Sequence, residues 1–166
     1  IRAVGTTDTP LRAQLLARLA MAHGWTGAEE HRTRLTGEAI SVAGRVGDPT
    51  ALAYALSARH GLLWGPERVP ERVALIDRMG GVAAESRDNE LILMHLLFRI
   101  TSNLELGKIE QVDLDIATYT RIAESLNQPQ SLWYAHTFRA ARALMQGKLD
   151  QGAIHAEKLL SVGGRI

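Results

Sequence analysis

The chain repeats its own residue pattern at a spacing of about forty residues. Asp8 recurs as Asp48 and Asp88, and alanines and arginines recur in the same way: Ala43, Ala83 and Ala123, and Arg59, Arg99 and Arg139. A fixed period of this length is typical of arrays in which each unit buries its apolar face against the next. The period predicts four repeats in one domain over residues 1–166, with approximate bounds 8–47, 48–87, 88–127 and 128–166.

Turn-forming and capping residues predict two helices in every repeat. Gly47 ends one helix, Asp48 caps the next, and Pro49 takes the first helical position. No segment alternates between apolar and polar residues over a useful length, so we expect no strands. The pair Gly80-Gly81 falls inside a helix, which indicates close packing or a kink. We expect helices over residues 11–22, 28–46, 50–60, 66–85, 89–106 and 108–126, a last pair from Pro129 to about Gly163, and helix ends near Gly24, Gly47, Gly61, Arg87, Gly107, Asn127 and Gly147.

The turn between the last two helices resembles the inter-helix turn of a tetratricopeptide repeat. Residues 147–153, Gly-Lys-Leu-Asp-Gln-Gly-Ala, supply a glycine, a polar residue, an aliphatic residue, acidic and amide residues, and small residues. Residues 107–111 are a weaker copy, and the period of forty exceeds the value of about thirty-four that is typical of that repeat.

A second resemblance is carried by residues in 47–66, 90–107 and 128–147, among them Gly47-Asp48-Pro49, Leu104-Glu105-Leu106-Gly107 and Leu132-Trp133. Through these residues the chain is similar, from Gly47 to Gly164, to the helical-repeat regions of large bacterial transcriptional regulators, the MalT-like and LuxR-type ATPases and the actinobacterial antibiotic regulators. The resemblance implies an all-α, right-handed, TPR-like α-solenoid of about four antiparallel helix pairs, beside an ATP-binding switch domain and often a helix-turn-helix. The chain has no Gly-x-x-x-x-Gly-Lys-Ser/Thr phosphate loop, so we expect no ATPase activity from it.

The composition argues against several classes of function. Nineteen basic and eighteen acidic residues give a net charge of +1 with no basic stripe, so we expect no direct binding to nucleic acid. The chain has no cysteine, which excludes disulfides and thiolate metal sites and suits a cytoplasmic location. Its longest apolar stretch, residues 91–100, is too short to span a membrane.

The most specific candidate site is the series Arg59, Arg99 and Arg139, which occupy one position in three repeats. Equivalent positions of stacked repeats lie in register, so the three guanidinium groups are candidates for binding an acidic peptide or phosphate groups on a partner. The alternative is structural, with each arginine packing its stem over the core and pairing with a carboxylate on a neighbouring helix.

Other polar and aromatic residues give weaker signals. No two of the six histidines are three or four residues apart, so we expect no metal site, and we expect no catalytic residues and no cofactor. Glu110, Asp113 and Asp115 form an acidic cluster that favourable interaction with the helix dipole explains. Four aromatic residues either contact a peptide or fill gaps between helices: Trp64, Trp133, Tyr134 and Phe138.

These observations predict a non-catalytic protein- or peptide-interaction or sensor module of a large cytoplasmic transcriptional regulator, and not an enzyme. Its partner is a protein, a peptide or another domain of the parent chain. The alternatives are a receptor domain for a small-molecule inducer and a stand-alone TPR-like adaptor. Because the chain begins at Ile1 without Met and stops at Ile166, just after Gly163-Gly164, we expect it to be a piece of a longer parent. Because no polar helix follows the apolar last helix, we expect that parent to continue with further repeats. We also expect self-association through the C-terminal helix pair, whose last helix offers Ile154, Leu159, Leu160 and Val162.

Overall fold

The computed structural model describes residues 5–23, 29–63 and 65–164, and over these ranges the secondary structure is helical, with no strand. The all-α class predicted from the sequence is confirmed for this part of the chain. None of the described helices is both long enough and apolar enough to cross a lipid bilayer. The elements in chain order are α1 (Pro10–Ala22), α2 (Glu29–Val46), α3 (Pro49–Leu62), a 3-10 turn (Pro66–Arg68), α4 (Val69–Ser86), α5 (Asn89–Glu105), α6 (Ile109–Leu126), α7 (Pro129–Met145) and α8 (Leu149–Gly163).

The forty-residue period is present in the backbone itself. The even-numbered helices begin forty residues apart, at Glu29, Val69, Ile109 and Leu149. After α2, α4 and α6 the chain turns through a left-handed residue, with φ of 72° at Gly47, 52° at Arg87 and 51° at Asn127. The N–H of each turn residue donates to the carbonyl of the recurring alanine four positions earlier, at distances of 2.9 to 3.2 Å. The packing of the helices is therefore consistent with a helical repeat.

The recurring aspartates have different roles in different repeats. Asp48 accepts a hydrogen bond from a backbone N–H of α3 at 2.7 Å, and Asp88 accepts one from α5 at 2.8 Å. Both are N-caps of the kind that the sequence predicts. In the first repeat Thr9 caps α1 instead, and Asp8 pairs with Arg12 at 3.0 Å and with Arg45 of α2 at 2.6 Å.

The chain divides into two compact units, residues 1–95 and 96–166, with the division inside α5. In the first unit, α1, α2 and α3 share a core of small side chains, in which alanine predominates. Small side chains let the helix backbones approach closely. The buried members of this core are Ala13, Leu16, Ala17, Ala20, Leu35, Ala39, Val42, Ala43, Ala51, Ala55 and Ala58. A second cluster joins α3, α4 and the start of α5 through Ala53, Ala83 and Leu91.

The second unit contains the end of α5, α6, α7 and α8. The ring of Tyr119 on α6 meets the ring of Phe138 on α7 edge to face, with 5.5 Å between centroids. At the other side of α7, Gly152 on α8 lies so close to Leu144 that an added Cβ would stand 2.7 Å from its Cδ2. The glycine therefore allows α8 to pack tightly against α7.

The helix ends agree with the prediction to within a few residues, with one difference. The predicted helix over 66–85 begins as a 3-10 turn, and α4 starts at Val69. A helix from Pro66 would place Pro70 where a helical N–H is required, whereas a start at Val69 keeps Pro70 in the first turn. The predicted end at Gly24 lies outside the described residues.

Close packing at Gly80 is confirmed. An added Cβ on Gly80 would stand 2.8 Å from Cε1 of His95, a residue of α5 that is 8% exposed. At the adjacent Gly81 nothing lies within 4 Å of that position. The two glycines therefore differ in function: Gly80 makes room for the next helix, and Gly81 does not.

We expect Gly80→Ala and Gly81→Ala to change stability in opposite directions. The first forces the buried His95 ring to move, which costs about 1–3 kcal/mol. The second faces open space and gains up to about 1 kcal/mol from helix propensity. Urea denaturation of both variants measures the difference. Equal stability of the two would show that His95 is not fixed against Gly80.

Candidate functional site

Arg99, the second of the three predicted arginines, is held by a buried carboxylate. From α5 its Nε and Nη2 donate to the two carboxylate oxygens of Asp115 on α6, at 2.8 and 2.6 Å. Asp115 is 2% exposed and also accepts a hydrogen bond from the Gln111 amide at 2.8 Å. A bidentate pair of this kind fixes the orientation of the guanidinium group. Arg99 therefore links α5 to α6, which is the structural role that the sequence left as an alternative.

Arg139 is held much more loosely. Its Nη1 lies 3.9 Å from Oε1 of Glu124 on α6, and the two side chains are 40% and 60% exposed. An exposed ion pair at that distance contributes about 0–1 kcal/mol and leaves the side chain able to reorient. Arg139 is therefore more available to a partner than Arg99 is.

Arg59 lies in the last turn of α3, in the first unit, and is half-buried. In the part of the chain that the structure describes, no carboxylate forms an ion pair with it within 4 Å. The other two arginines belong to the second unit. The three arginines share a repeat position but differ in their pairing: Arg99 forms a bidentate ion pair, Arg139 forms a long, exposed one, and Arg59 forms none with the described carboxylates. Their binding to one partner stays a prediction.

The acidic cluster on α6 is more than a complement to the helix dipole, which is a correction to the sequence interpretation. Only Glu110 lies in the first turn of α6. Asp115 is the buried partner of Arg99, and Asp113 accepts hydrogen bonds from Nε and Nη2 of Arg142 on α7, at 2.6 and 2.9 Å. These hydrogen bonds hold the pKa of the Asp113 carboxyl below its ordinary value. Two carboxylates of one helix therefore link it to two different neighbouring helices.

Two histidines stack where α8 packs on α7. The rings of His136 and His155 have centroids 5.6 Å apart and are inclined by 26°. Burial lowers the pKa of both imidazoles, and the positive charges of Lys158 and Arg139 lower it further, while Glu124 raises that of His136. The buried Nδ1 atoms of both rings make no hydrogen bond within the described residues. This arrangement favours two neutral rings.

The metal and aromatic candidates are placed as follows. Among the residues that the structure describes, no three histidine or acidic side chains are grouped as metal ligands.

Trp133 contacts the neighbouring Tyr134 edge to face at 5.0 Å, and Phe138 is buried against Tyr119. Phe138 thus fills the space between helices. Trp64 lies outside the described residues.

The last helix presents an apolar stripe to solvent, which we name the tail face: Leu149, Ala153, Ala156 and Leu160. Leu149 is 67% exposed and Leu160 is 72% exposed. Of the residues of α8, all of which the structure describes, Gly152 alone is buried. The four positions are spaced by four, three and four residues, so they share one side of the helix.

In the earlier repeats, the next helix covers the equivalent face. On α6, Ile116 is 8% exposed, and Asp113 holds Arg142 of α7. On α4, Ile76 is 3% exposed, and Gly80 contacts His95 of α5. The tail face therefore corresponds to the side of α4 and α6 that contacts the following helix.

The sequence identified part of this surface. Of the four apolar residues expected at the C-terminal end, Ile154 and Leu160 are exposed, whereas Leu159 and Val162 are half-buried. The forty-residue register locates the tail face when it is applied to α6, because Ala156 corresponds to Ile116.

A comparison with models of known protein families finds none that matches the chain, and no curated protein matches it in sequence.

We expect removal of Arg99 to destabilise the fold far more than removal of Arg139. Arg99→Met leaves the Asp115 carboxylate buried without its charge partner. Because Arg99 is 36% exposed, the loss should be about 2–3 kcal/mol, below the 3–5 kcal/mol of a fully buried pair. Arg139→Met is the matched control, at about 1 kcal/mol or less. Chemical denaturation that finds equal losses would refute a structural role specific to Arg99.

Acidification should weaken the folded state through His136 and His155. Their folded pKa values lie below the ordinary 6.5, so the unfolded chain binds these protons first. The stability they contribute is complete above pH 6.5 and is lost as the pH falls through the folded values. The fall in melting temperature from about pH 7.5 to 5.5 should be smaller in His136→Gln/His155→Gln than in the wild type. An unchanged fall would contradict this origin.

Proposed function

We propose that the chain is a non-catalytic protein-interaction or sensor module, built as a TPR-like α-solenoid. In this proposal it serves as the docking arm of a cytoplasmic bacterial transcriptional regulator, the role that the repeats and their resemblance imply. The single observation that carries the proposal is the exposed tail face of α8. The repeated helix starts and left-handed turns support the solenoid.

The tail face has the chemistry of a protein-binding surface. Its four side chains are aliphatic, and none of the four positions carries a charge. Burying one leucine contributes about 1.5–3 kcal/mol, so two leucines and two alanines supply a useful share of a binding free energy. An amphipathic helix that lies along this face would take the position on α8 that α7 takes on α6.

Arg139 and the apolar stripe suit different parts of one partner. The stripe favours the apolar side of a helix, whereas the weakly paired guanidinium group favours a carboxylate or a phosphorylated residue. The proposal therefore retains Arg139 as a secondary contact. Arg99 is assigned to the fold, since its donors are already used by Asp115.

A quantitative affinity purification tests the proposed function. The bait proteins are the wild type, Leu149→Glu/Leu160→Glu, and Leu114→Glu, a matched control whose leucine is 64% exposed on α6 outside the tail face. A partner protein should be retained by the wild type and by the control, and reduced about tenfold or more by the tail-face variant. Circular dichroism confirms that the three baits are equally helical. Identical sets of retained proteins on all three baits would show that the tail face is not the binding surface.

A further inference from the structure

One side of the first helix, α1, corresponds in the repeat to the surface with which later odd-numbered helices pack against the helix before them. We name its residues Leu11, Leu15, Arg18 and Ala22 the head face. Leu11 is 56% exposed, Arg18 and Ala22 are exposed, and Leu15 is half-buried. These residues stand at the same spacing along α1 as the tail-face residues along α8, so they also share one side of a helix.

In the later odd-numbered helices, the positions equivalent to the head face are buried against the preceding helix pair. Leu11, Leu15 and Arg18 correspond on α3 to residues that are 0 to 1% exposed and belong to the core shared with α1 and α2: Ala51, Ala55 and Ala58. The face therefore belongs to a recurring interface that is occupied in the second repeat.

The third and fourth repeats use the same interface with other side chains. Forty residues after Ala55, His95 of α5 rests on Gly80 of α4. Phe138 of α7 lies two repeat lengths, or eighty residues, after Ala58, and its ring contacts the ring of Tyr119 on α6 edge to face. In each case the side of the odd-numbered helix that corresponds to the head face packs against the even-numbered helix that precedes it.

We propose that a second copy of this chain docks its head face on the tail face. This inference names the partner of the surface in the proposed function and rests on it. The two faces are the odd-helix half and the even-helix half of one contact, which the chain itself forms between α6 and α7. Both halves expose leucine side chains, Leu11 on the head face and Leu149 and Leu160 on the tail face, so docking removes leucine surface from water on both copies.

The charges beside the two faces are complementary. The head face contains the exposed cation Arg18, whose Cζ lies 6.0 Å from the centroid of the Tyr54 ring on α3. The exposed carboxylates Asp150 and Glu157 lie on α8 next to the tail face. One cation against two anions favours the head-to-tail arrangement over a tail-to-tail one, which would bring four carboxylates together.

The arrangement predicts a particular kind of assembly. Because the head face and the tail face are different surfaces, the interface between two copies is heterologous, and the association continues into longer chains or closes into a ring. Blocking either face should stop growth, and a head-blocked chain should still bind a tail-blocked chain through the two intact faces.

Sedimentation equilibrium on four proteins tests the inference: the wild type, Leu11→Glu, Leu149→Glu/Leu160→Glu, and the control Leu114→Glu. The wild type and the control should increase in average mass with concentration beyond that of a dimer. The head variant and the tail variant should each stay monomeric, and their equimolar mixture should form a one-to-one dimer. Circular dichroism of each variant establishes that the helices are intact.

Three results would overturn the inference. One is a head variant that associates as the wild type does, which indicates a tail-to-tail dimer and leaves the proposed function standing. Another is a mixture of the two variants that stays monomeric. The third is a wild type that remains monomeric at about millimolar concentration. If the affinity purification also shows no dependence on the tail face, the proposed function fails with it.

Discussion

The structure depends on one recurring contact, in which one side of an odd-numbered helix packs against the even-numbered helix that precedes it. Small residues make that contact possible, because Ala51, Ala55 and Ala58 let α3 approach the first pair closely. The same geometry is maintained at Gly80, where the absence of a Cβ leaves room for the ring of His95. The left-handed turns that recur every forty residues bring each new pair into position for this contact. The left-handed turns and this helix–helix contact therefore recur with the same period.

The chemistry of the contact changes from repeat to repeat although its position does not. Alanines form it in the second repeat, an imidazole on a glycine in the third, and paired aromatic rings with an Arg142–Asp113 ion pair in the fourth. At these positions burial recurs from repeat to repeat, whereas the residue type changes.

Residues with the same identity and the same repeat position have different surroundings. Arg99 and Arg139 are indistinguishable by spacing, yet only Arg99 faces a buried carboxylate, since Asp115 corresponds to His155 one repeat later. Sequence spacing therefore identified a series of arginines and could not rank them. Asp115 was attributed to the helix dipole for the same reason, because the distance from α6 to α5 does not follow from the sequence of α6 alone.

Local chemistry in the sequence determined the helical class, the period and most helix ends, because caps, prolines and left-handed glycines act within a few residues of their own position. The tertiary structure alone decided which side of each helix is covered. On α8, Leu159 and Leu160 are adjacent and equally apolar, yet one is half-buried and the other is 72% exposed. A helix of this composition can be rotated about its axis with little change in local energy. The packing of α8 against α7 decides which side is covered, with Gly152 buried and Leu160 exposed.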